Sequence, residues 1–271
     1  MTGPAAGTAA AVELSGVDKV FPGGRGRPEV RALVGVDLTV AAGDFVTFIG
    51  PSGCGKSTLL RLIADLTEPS AGTVRVNGKP ARQARLDQDY GIAFQQAGLM
   101  DWRTVARNVE LPLELHGWDR ARRRDRALEL LELVGLTDFA GAYPAELSGG
   151  MQQRVAIARA LAIGPKLLLM DEPFGALDEM TRERLQVELA RIARESEATV
   201  VFVTHSIPEA VYLSDRVVVM SARPGRVTTV VGVRLGERTE DTRESPDFFA
   251  KVTEVREALR GRATVRAAEE R

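Results

Sequence analysis

The chain has one cysteine, Cys54, in 271 residues, so no disulfide can form within it and the setting it implies is reducing. Long apolar runs are missing as well. The longest, at 199–203 and 217–220, are strand-sized, against the roughly 20 residues a membrane-spanning helix needs. Any role at a membrane is therefore expected to come through a partner. The first ten residues are small and polar, without the basic start and apolar core of a secretion signal. Charge of one sign is not in excess either: 36 basic and 37 acidic residues leave a net charge of -1. That balance lacks the basic footprint of a general nucleic-acid grip, so nucleic acid is not an expected partner.

What is present is an alternation of strand-like and helix-like segments. Short apolar runs fall at 11–17, 33–40, 45–49, 73–76, 90–94, 167–171, 199–204 and 216–220. Helical patterns are expected at 56–65, across 104–134 with a stop at Gly135, and at 148–163, 178–195 and 208–214. Residues 21–28, punctuated by Gly and Pro, read as a loop. Strands alternating with helices predict an α/β core with a mostly parallel sheet. Residues 1–11 are expected to be a disordered lead-in. Residues 235–271 are expected to form a charged tail with an amphipathic helix around 246–259.

Two segments carry the chemistry. Gly50-Pro-Ser-Gly-Cys-Gly-Lys-Ser57 fits G-x-x-x-x-G-K-[ST], follows an apolar strand and opens a helix. Backbone N–H groups must turn inward there to wrap phosphate oxygens, which glycine permits, and the helix N-terminus adds a favourable dipole. Lys56 brings a positive charge to the β- and γ-phosphates, and Ser57 offers a hydroxyl to Mg²⁺. The loop thus predicts ATP and Mg²⁺ as cofactors, held by Gly50, Pro51, Ser52, Gly53, Cys54, Gly55, Lys56, Ser57 and Thr58. Leu167-Leu-Leu-Met-Asp-Glu-Pro173 is an apolar strand ending in two carboxylates. Asp171 is placed to hold Mg²⁺, and Glu172 is a candidate general base for the attacking water. Cys54 lies inside the loop and is assigned no chemistry.

Leu147-Ser-Gly-Gly-Met-Gln-Gln-Arg154 resembles the signature motif of ABC ATPases. Physically, Ser148, Gly149 and Gly150 stand at a helix start, a second anion site. Ser148 is equally an N-cap, and both roles fit one residue. The resemblance covers about 12–227. It implies a P-loop NTPase (RecA-like) core with an antiparallel β subdomain and an inserted helical signature subdomain at about 100–160, within an ATPase domain at 12–234. It also implies a homodimer, each ATP lying between the P-loop of one copy and the signature loop of the other. By the same resemblance Gln95 touches Mg²⁺ or the attacking water, His205 senses the γ-phosphate, and Asp178 in Ala176-Leu-Asp178 belongs to a loop that meets the opposite subunit. Phe21 matches the aromatic that stacks on adenine, with core cover the other reading.

Leu99-Met-Asp-Trp-Arg-Thr-Val105, Arg223-Pro-Gly-Arg226 and Ser245-Pro-Asp-Phe-Phe249 resemble importer ATPases of the nitrate, sulfonate and taurine group. That group also includes relatives for pyrimidine precursors. Its membership implies a peripheral subunit on the cytoplasmic face of the inner membrane, working with transmembrane permease subunits and a substrate-binding protein. Leu99, Met100, Trp102 and Val105 would floor a groove for a permease helix, unless Trp102 is core packing. Two positions depart from the pattern: Asp101 replaces a proline, and Asp65 a glycine at the end of the first helix. The alternatives are the ATPase subunit of an exporter, or a soluble ABC ATPase of translation or DNA repair.

Overall fold

The computed structural model describes residues 9–23, 28–236 and 238–261. The strands, in chain order, are β1 (Ala10–Phe21), β2 (Val30–Ala41), β3 (Phe45–Ile49), β4 (Ala71–Val76), β5 (Lys79–Pro80), β6 (Tyr90–Ala93), β7 (Leu167–Asp171), β8 (Thr199–Val203), β9 (Arg216–Met220) and β10 (Val227–Gly232). The helices are α1 (Lys56–Ile63), α2 (Ala81–Leu86), α3 (Val105–Leu115), α4 (Arg120–Leu133), α5 (Gly149–Leu161), α6 (Glu179–Glu195), α7 (Ile207–Leu213) and α8 (Pro246–Leu259).

Two sheets form. One is antiparallel in the order β2-β1-β4-β5, the other has the order β10-β9-β3-β8-β7-β6. In the second, β9, β3, β8, β7 and β6 are parallel and only β10 runs against its neighbour. Every residue of β3, β7 and β8 is buried, as expected of a parallel sheet covered on both faces. The pleat sorts side chains between the faces. Leu168, Met170, Val200, Phe202, Val217 and Val219 point to a core shared with the helices. Leu167, Leu169, Val201, Val203, Val218 and Met220 point the other way, to a core shared with α1 and the antiparallel sheet. The fold is thus α/β, with a P-loop core, an antiparallel layer on one face and helices on the other.

Several expectations are corrected. Ala10 and Ala11 belong to β1, pairing or packing against β2, so they are not lead-in; residues 1–8 lie outside the described residues. Phe21 closes β1 rather than opening a loop, and 24–27 of that segment are likewise outside. The helical pattern over 104–134 is two helices. α3 stops at His116, Gly117 takes φ +71°, and Asp119 caps α4 by accepting from Arg122 N at 3.0 Å. β5, α2 and β10 have no counterpart in the sequence pattern: the first two are too short for periodicity to show, and β10 is a half-exposed edge strand. α8 spans Pro246–Leu259, where the tail helix is expected. Phe248, Val252, Val255 and Ala258 of α8 enter the same core as Tyr212 and Val217.

The segment between β6 and α3 is held by one side chain. Asn108, fully buried on α3, accepts from Met100 N at 2.7 Å. Its Nδ2 donates to the carbonyls of Met100, Arg103 and Thr104 at 3.0–3.2 Å. Asn108→Ala removes the partner of Met100 N and Arg103 O, while Met100 O and Thr104 O keep the amides of Arg103 and residue 108. The expected cost is about 2–3 kcal/mol in urea unfolding, and a loss under about 0.5 kcal/mol, the size of an ordinary surface change, would show that the loop stands without it.

Candidate functional site

The order of the parallel strands builds the site. β3, β8, β7 and β6 lie side by side, so the segments that leave their ends meet at one edge of the sheet. After β3 comes the loop 50–57, after β8 Thr204 and His205, after β7 Glu172, and after β6 Phe94 and Gln95. A cleft of about 310 Å³ opens there, lined by Phe21 and 52–58 with Gln95, Glu172 and Arg223.

The loop prepares an anion site. α1 starts at Lys56 with Gly55 as its N-cap at φ +104°, a backbone angle suited to glycine, and no side chain caps the helix. By contrast, side chains cap α3, α4, α5, α6, α7 and α8. The first N–H groups of α1 are thus left to an external acceptor. Lys56 is buried, its ammonium donating to Gly50 O at 2.8 Å and Pro51 O at 3.3 Å. Cys54 is buried behind the loop.

Ser57 Oγ donates to Asp171 Oδ1 at 2.8 Å, joining the start of α1 to the end of β7. Asp171 is 3% exposed. Burial pushes its carboxyl above the usual aspartate range, and the Ser57 hydrogen bond pulls the other way. Glu172 comes next, in a left-handed conformation at φ +47°, uncommon for a residue other than glycine. Its N–H donates to Val203 O at 2.9 Å, which fixes this turn to β8. Gln95 Nε2 donates to Glu172 Oε2 at 3.4 Å, and His205 Nδ1 lies 3.3 Å from the same oxygen. Gln95, Glu172 and His205 thus converge on one carboxylate oxygen.

Phe21 is 40% exposed on the cleft wall with the Lys19 ammonium 4.9 Å from its ring centre, so it does not cover the core. Ser148, Gly149 and Gly150 are not brought to this cleft. Ser148 Oγ accepts from Met151 N at 3.3 Å as the cap of α5. Gly150 packs against the backbone of Ala176, where a Cβ would come within 2.9 Å of the carbonyl. Asp178 caps α6, accepting from Thr181 N at 2.9 Å, which holds its carboxyl below the usual range. The signature segment and the 176–178 loop therefore sit together, apart from the cleft lining.

Sequence reasoning does not assign Arg223 or Gly225 to the site. Arg223 lines the cleft, its Nε donating to Gly53 O at 3.3 Å. Gly225 presses on the loop so closely that a Cβ would overlap the Cys54 carbonyl. The Arg223-Pro-Gly-Arg226 run is the available signal, but nothing in one sequence says that it folds back on residues 53–54. Trp102 is 75% exposed and is not core packing, whereas Val105 is fully buried and gives no surface. Asp65 stands where a left-handed residue is required, at φ +50°, and its carboxylate pairs with Arg85 Nε at 2.9 Å. That explains how an aspartate serves at this helix end. Asp101 sits in an exposed turn.

The donor set suits Mg²⁺. A hydroxyl and a carboxylate oxygen, 2.8 Å apart beside the phosphate loop, are hard ligands that leave room for water and phosphate oxygens. Among the described residues no three His, Cys, Asp or Glu gather as a metal cage. Mg²⁺ held partly by substrate phosphates does not require one.

The ABC transporter family model matches residues 33–175. The chain is 44% identical to the nitrate import ATP-binding protein NrtD of Synechocystis sp. over 260 residues, 93% of this chain and 96% of that protein. It is 46% identical to the taurine import ATP-binding protein TauB of Rhizobium johnstonii over 255 residues, 92% and 97% of the two chains. A solved structure, the ATP-binding cassette MJ0796 as a post-hydrolysis dimer bound to ADP and Pi, superposes with a TM-score of 0.76 at 38% identity. That likeness covers 82% of this chain and 99% of the other.

Asp171 generates a stability prediction. A carboxyl pKa raised by folding means that the folded state holds its proton more tightly than the unfolded chain does. The resulting penalty is absent below the ordinary value of 3.8, grows as pH rises above it and levels off above the folded value, so some of it is present at neutral pH. Asp171→Asn keeps the acceptor for Ser57 and removes the buried charge. Its unfolding midpoint at pH 7 without nucleotide is expected to rise, and a fall would show that ionised Asp171 stabilises the bare fold.

Proposed function

The chain belongs to the ABC transporter family of ATP-binding subunits, and from that premise we propose that it is the energy-coupling ATPase of an importer. The cargo class is a small solute of sulfonate, taurine, nitrate or pyrimidine-precursor type, carried by a separate permease. One observation carries the reading: four adjacent parallel strands deliver the phosphate loop, His205, Asp171–Glu172 and Gln95 to one edge of the sheet.

In this reading the amides of 50–57 and the start of α1 wrap the β- and γ-phosphates, and Lys56 turns its ammonium from the loop carbonyls to them. Ser57 and Asp171, with Gln95, hold Mg²⁺, which supplies charge neutralisation at the phosphates when bound. Glu172 takes the proton of the attacking water. His205 and Gln95, both beside its Oε2, orient that carboxylate and register the γ-phosphate. Phe21 offers a ring face to adenine.

Ser148, Gly149 and Gly150, held away from their own cleft, complete the cleft of a second copy, and Asp178 faces the same boundary. The working form is therefore a homodimer with two ATP between its halves. Trp102, exposed on the loop that Asn108 fixes, offers the apolar contact for a permease helix, with Leu99 and Met100 partly buried beside it. The subunit then sits at the cytoplasmic face of the inner membrane, and a substrate-binding protein delivers cargo to the permease. No helix among the described residues is long and apolar enough to cross a membrane.

Two experiments test this. With permease and binding protein in lipid vesicles, Glu172→Gln is expected to lower hydrolysis by about 100-fold or more and to stop uptake, while MgATP holds the variant as a dimer. Uptake that persists, or a variant strictly monomeric at saturating MgATP with and without permease, overturns the reading. Trp102→Ala should leave ATP turnover of the isolated chain within about twofold and lower retention on the permease by about tenfold or more, as loss of a buried aromatic anchor does. Unchanged retention would remove Trp102 from the docking surface.

A further inference from the structure

Glu209 is a buried carboxylate that the cleft does not use. It lies on α7, the helix whose cap, Ser206, directly follows His205, and it is 8% exposed. Burial pushes its carboxyl up, against the pull of its polar neighbours Thr204 and Gln186. These partners form a continuous chain. Glu209 N–H donates to Ser206 Oγ at 3.4 Å, and Ser206 N–H donates at 3.0 Å to Oγ1 of Thr204, immediately before His205. Gln186 Nε2 on α6 donates to Glu209 Oε1 at 2.9 Å. Gln186 Oε1 in turn accepts from Arg243 at 2.6 Å. Arg243 belongs to the segment before α8.

The far end of this chain is anchored on its own account. The Arg243 guanidinium stacks 3.6 Å from the centre of the Tyr212 ring, and its Nε lies 3.8 Å from Glu183 Oε1. Tyr212 donates its hydroxyl to Thr239 O at 3.3 Å. Arg238 donates to the carbonyls of Tyr212 and Ser214 at 2.7 and 2.8 Å. The segment is therefore fastened directly to the C-terminal end of α7 and, through Gln186, to Glu209 near its start, and α8 then buries four side chains in the core beneath it.

Such an arrangement is a poor way to gain stability alone. Buried polar groups cost free energy unless every member is satisfied, and apolar side chains of similar size commonly do as well or better. What a satisfied chain of this kind does is fix the relative positions of the segments it joins. Here it joins residue 204, beside His205, to residue 243. With its oxygen held by Arg243, Gln186 keeps its amide N–H aimed at Glu209, and loss of the guanidinium removes that restraint on the side chain.

We propose that Arg243 and Gln186 are positioning residues for His205: the seated C-terminal segment, acting through Glu209 and Ser206, sets the loop 204–206 for ATP hydrolysis. The inference rests on the reading of His205 as part of the hydrolytic site. It makes turnover depend on the tail although no described residue of the tail lines the cleft.

The test measures ATP turnover and nucleotide Kd, by trinitrophenyl-ATP fluorescence, on the full chain below its unfolding temperature. Arg243→Ala and Gln186→Leu are each expected to lower kcat about fivefold with Kd unchanged within about twofold. Their combination should be no worse than the worse single change, because both cut one chain of contacts. Gln186→Leu leaves the tail intact, so the idea remains testable if Arg243→Ala does not fold. His205→Ala is expected to lower kcat about 100-fold, and adding Arg243→Ala to it should change nothing more. The inference is overturned if both variants keep kcat within twofold, if the loss appears in Kd instead, or if Arg243→Ala costs the same factor without His205. If His205→Ala alone turns over at the wild-type rate, the assignment of His205 fails first and the inference falls with it.

Discussion

Everything in the cleft is arranged around a helix start that no side chain of this chain caps. A helix end with free N–H groups is costly to bury and favourable beside an anion. The α1 terminus reaches that condition because Gly55 turns through φ +104° and because the loop is backed by residues that cannot move aside. Gly225 is one, seated against the Cys54 carbonyl and bonded through its N–H to Ala32 O at 2.9 Å. Lys56, pulled onto the carbonyls of Gly50 and Pro51, shows the other half of the same constraint. Its ammonium and those oxygens satisfy each other, and a phosphate offers the ammonium a stronger, charged partner.

The polar links between segments then explain how events in the cleft reach the helical layer. Gln95 touches Glu172, but the backbone on either side of it is held from α5. Gln153 Nε2 donates to Phe94 O at 2.9 Å, and Arg159 donates to Ala97 O and Gly98 O at 2.7 and 2.9 Å. α5 is the helix that Ser148 caps. The segment carrying Gln95 is therefore tied to the signature helix, and through Asn108 to the loop that exposes Trp102. Those bonds are the contacts through which the proposed coupling to a permease would pass.

The central strands are legible in the sequence, because a strand buried on both faces is a continuous apolar run, and the ends of β3 and β7 are marked by the glycine-rich loop and the Asp171-Glu172 pair. β3, β7 and β9 fall where those runs lie. α8 is legible for another reason: Ser245 followed by proline is a helix start, and Ser245 accepts from Phe248 N at 3.2 Å. The failures share a cause. The break at 116–119 rests on Gly117 and Asp119, two local signals that a strong leucine period masks. Arg223 and Arg243 reach partners that lie 170 and 57 residues away in sequence. Such contacts leave no trace in local spacing. Composition alone does not separate a tail that trails away from one fastened by Arg238 and Arg243.

The two helix starts proposed to meet ATP are held apart. Each is pinned in place by different neighbours: α1 by Ala32 and Gly225 around its loop, α5 by Ala176 and its links to the segment after β6. Bringing Ser148 to the phosphate loop of its own chain would require breaking the contacts of Gly150 with Ala176 and of Gln153 with Phe94. A second copy related by a two-fold axis supplies the same helix start with none of those contacts disturbed. The bonds that stabilise one copy are therefore the reason that the proposed site is shared between two.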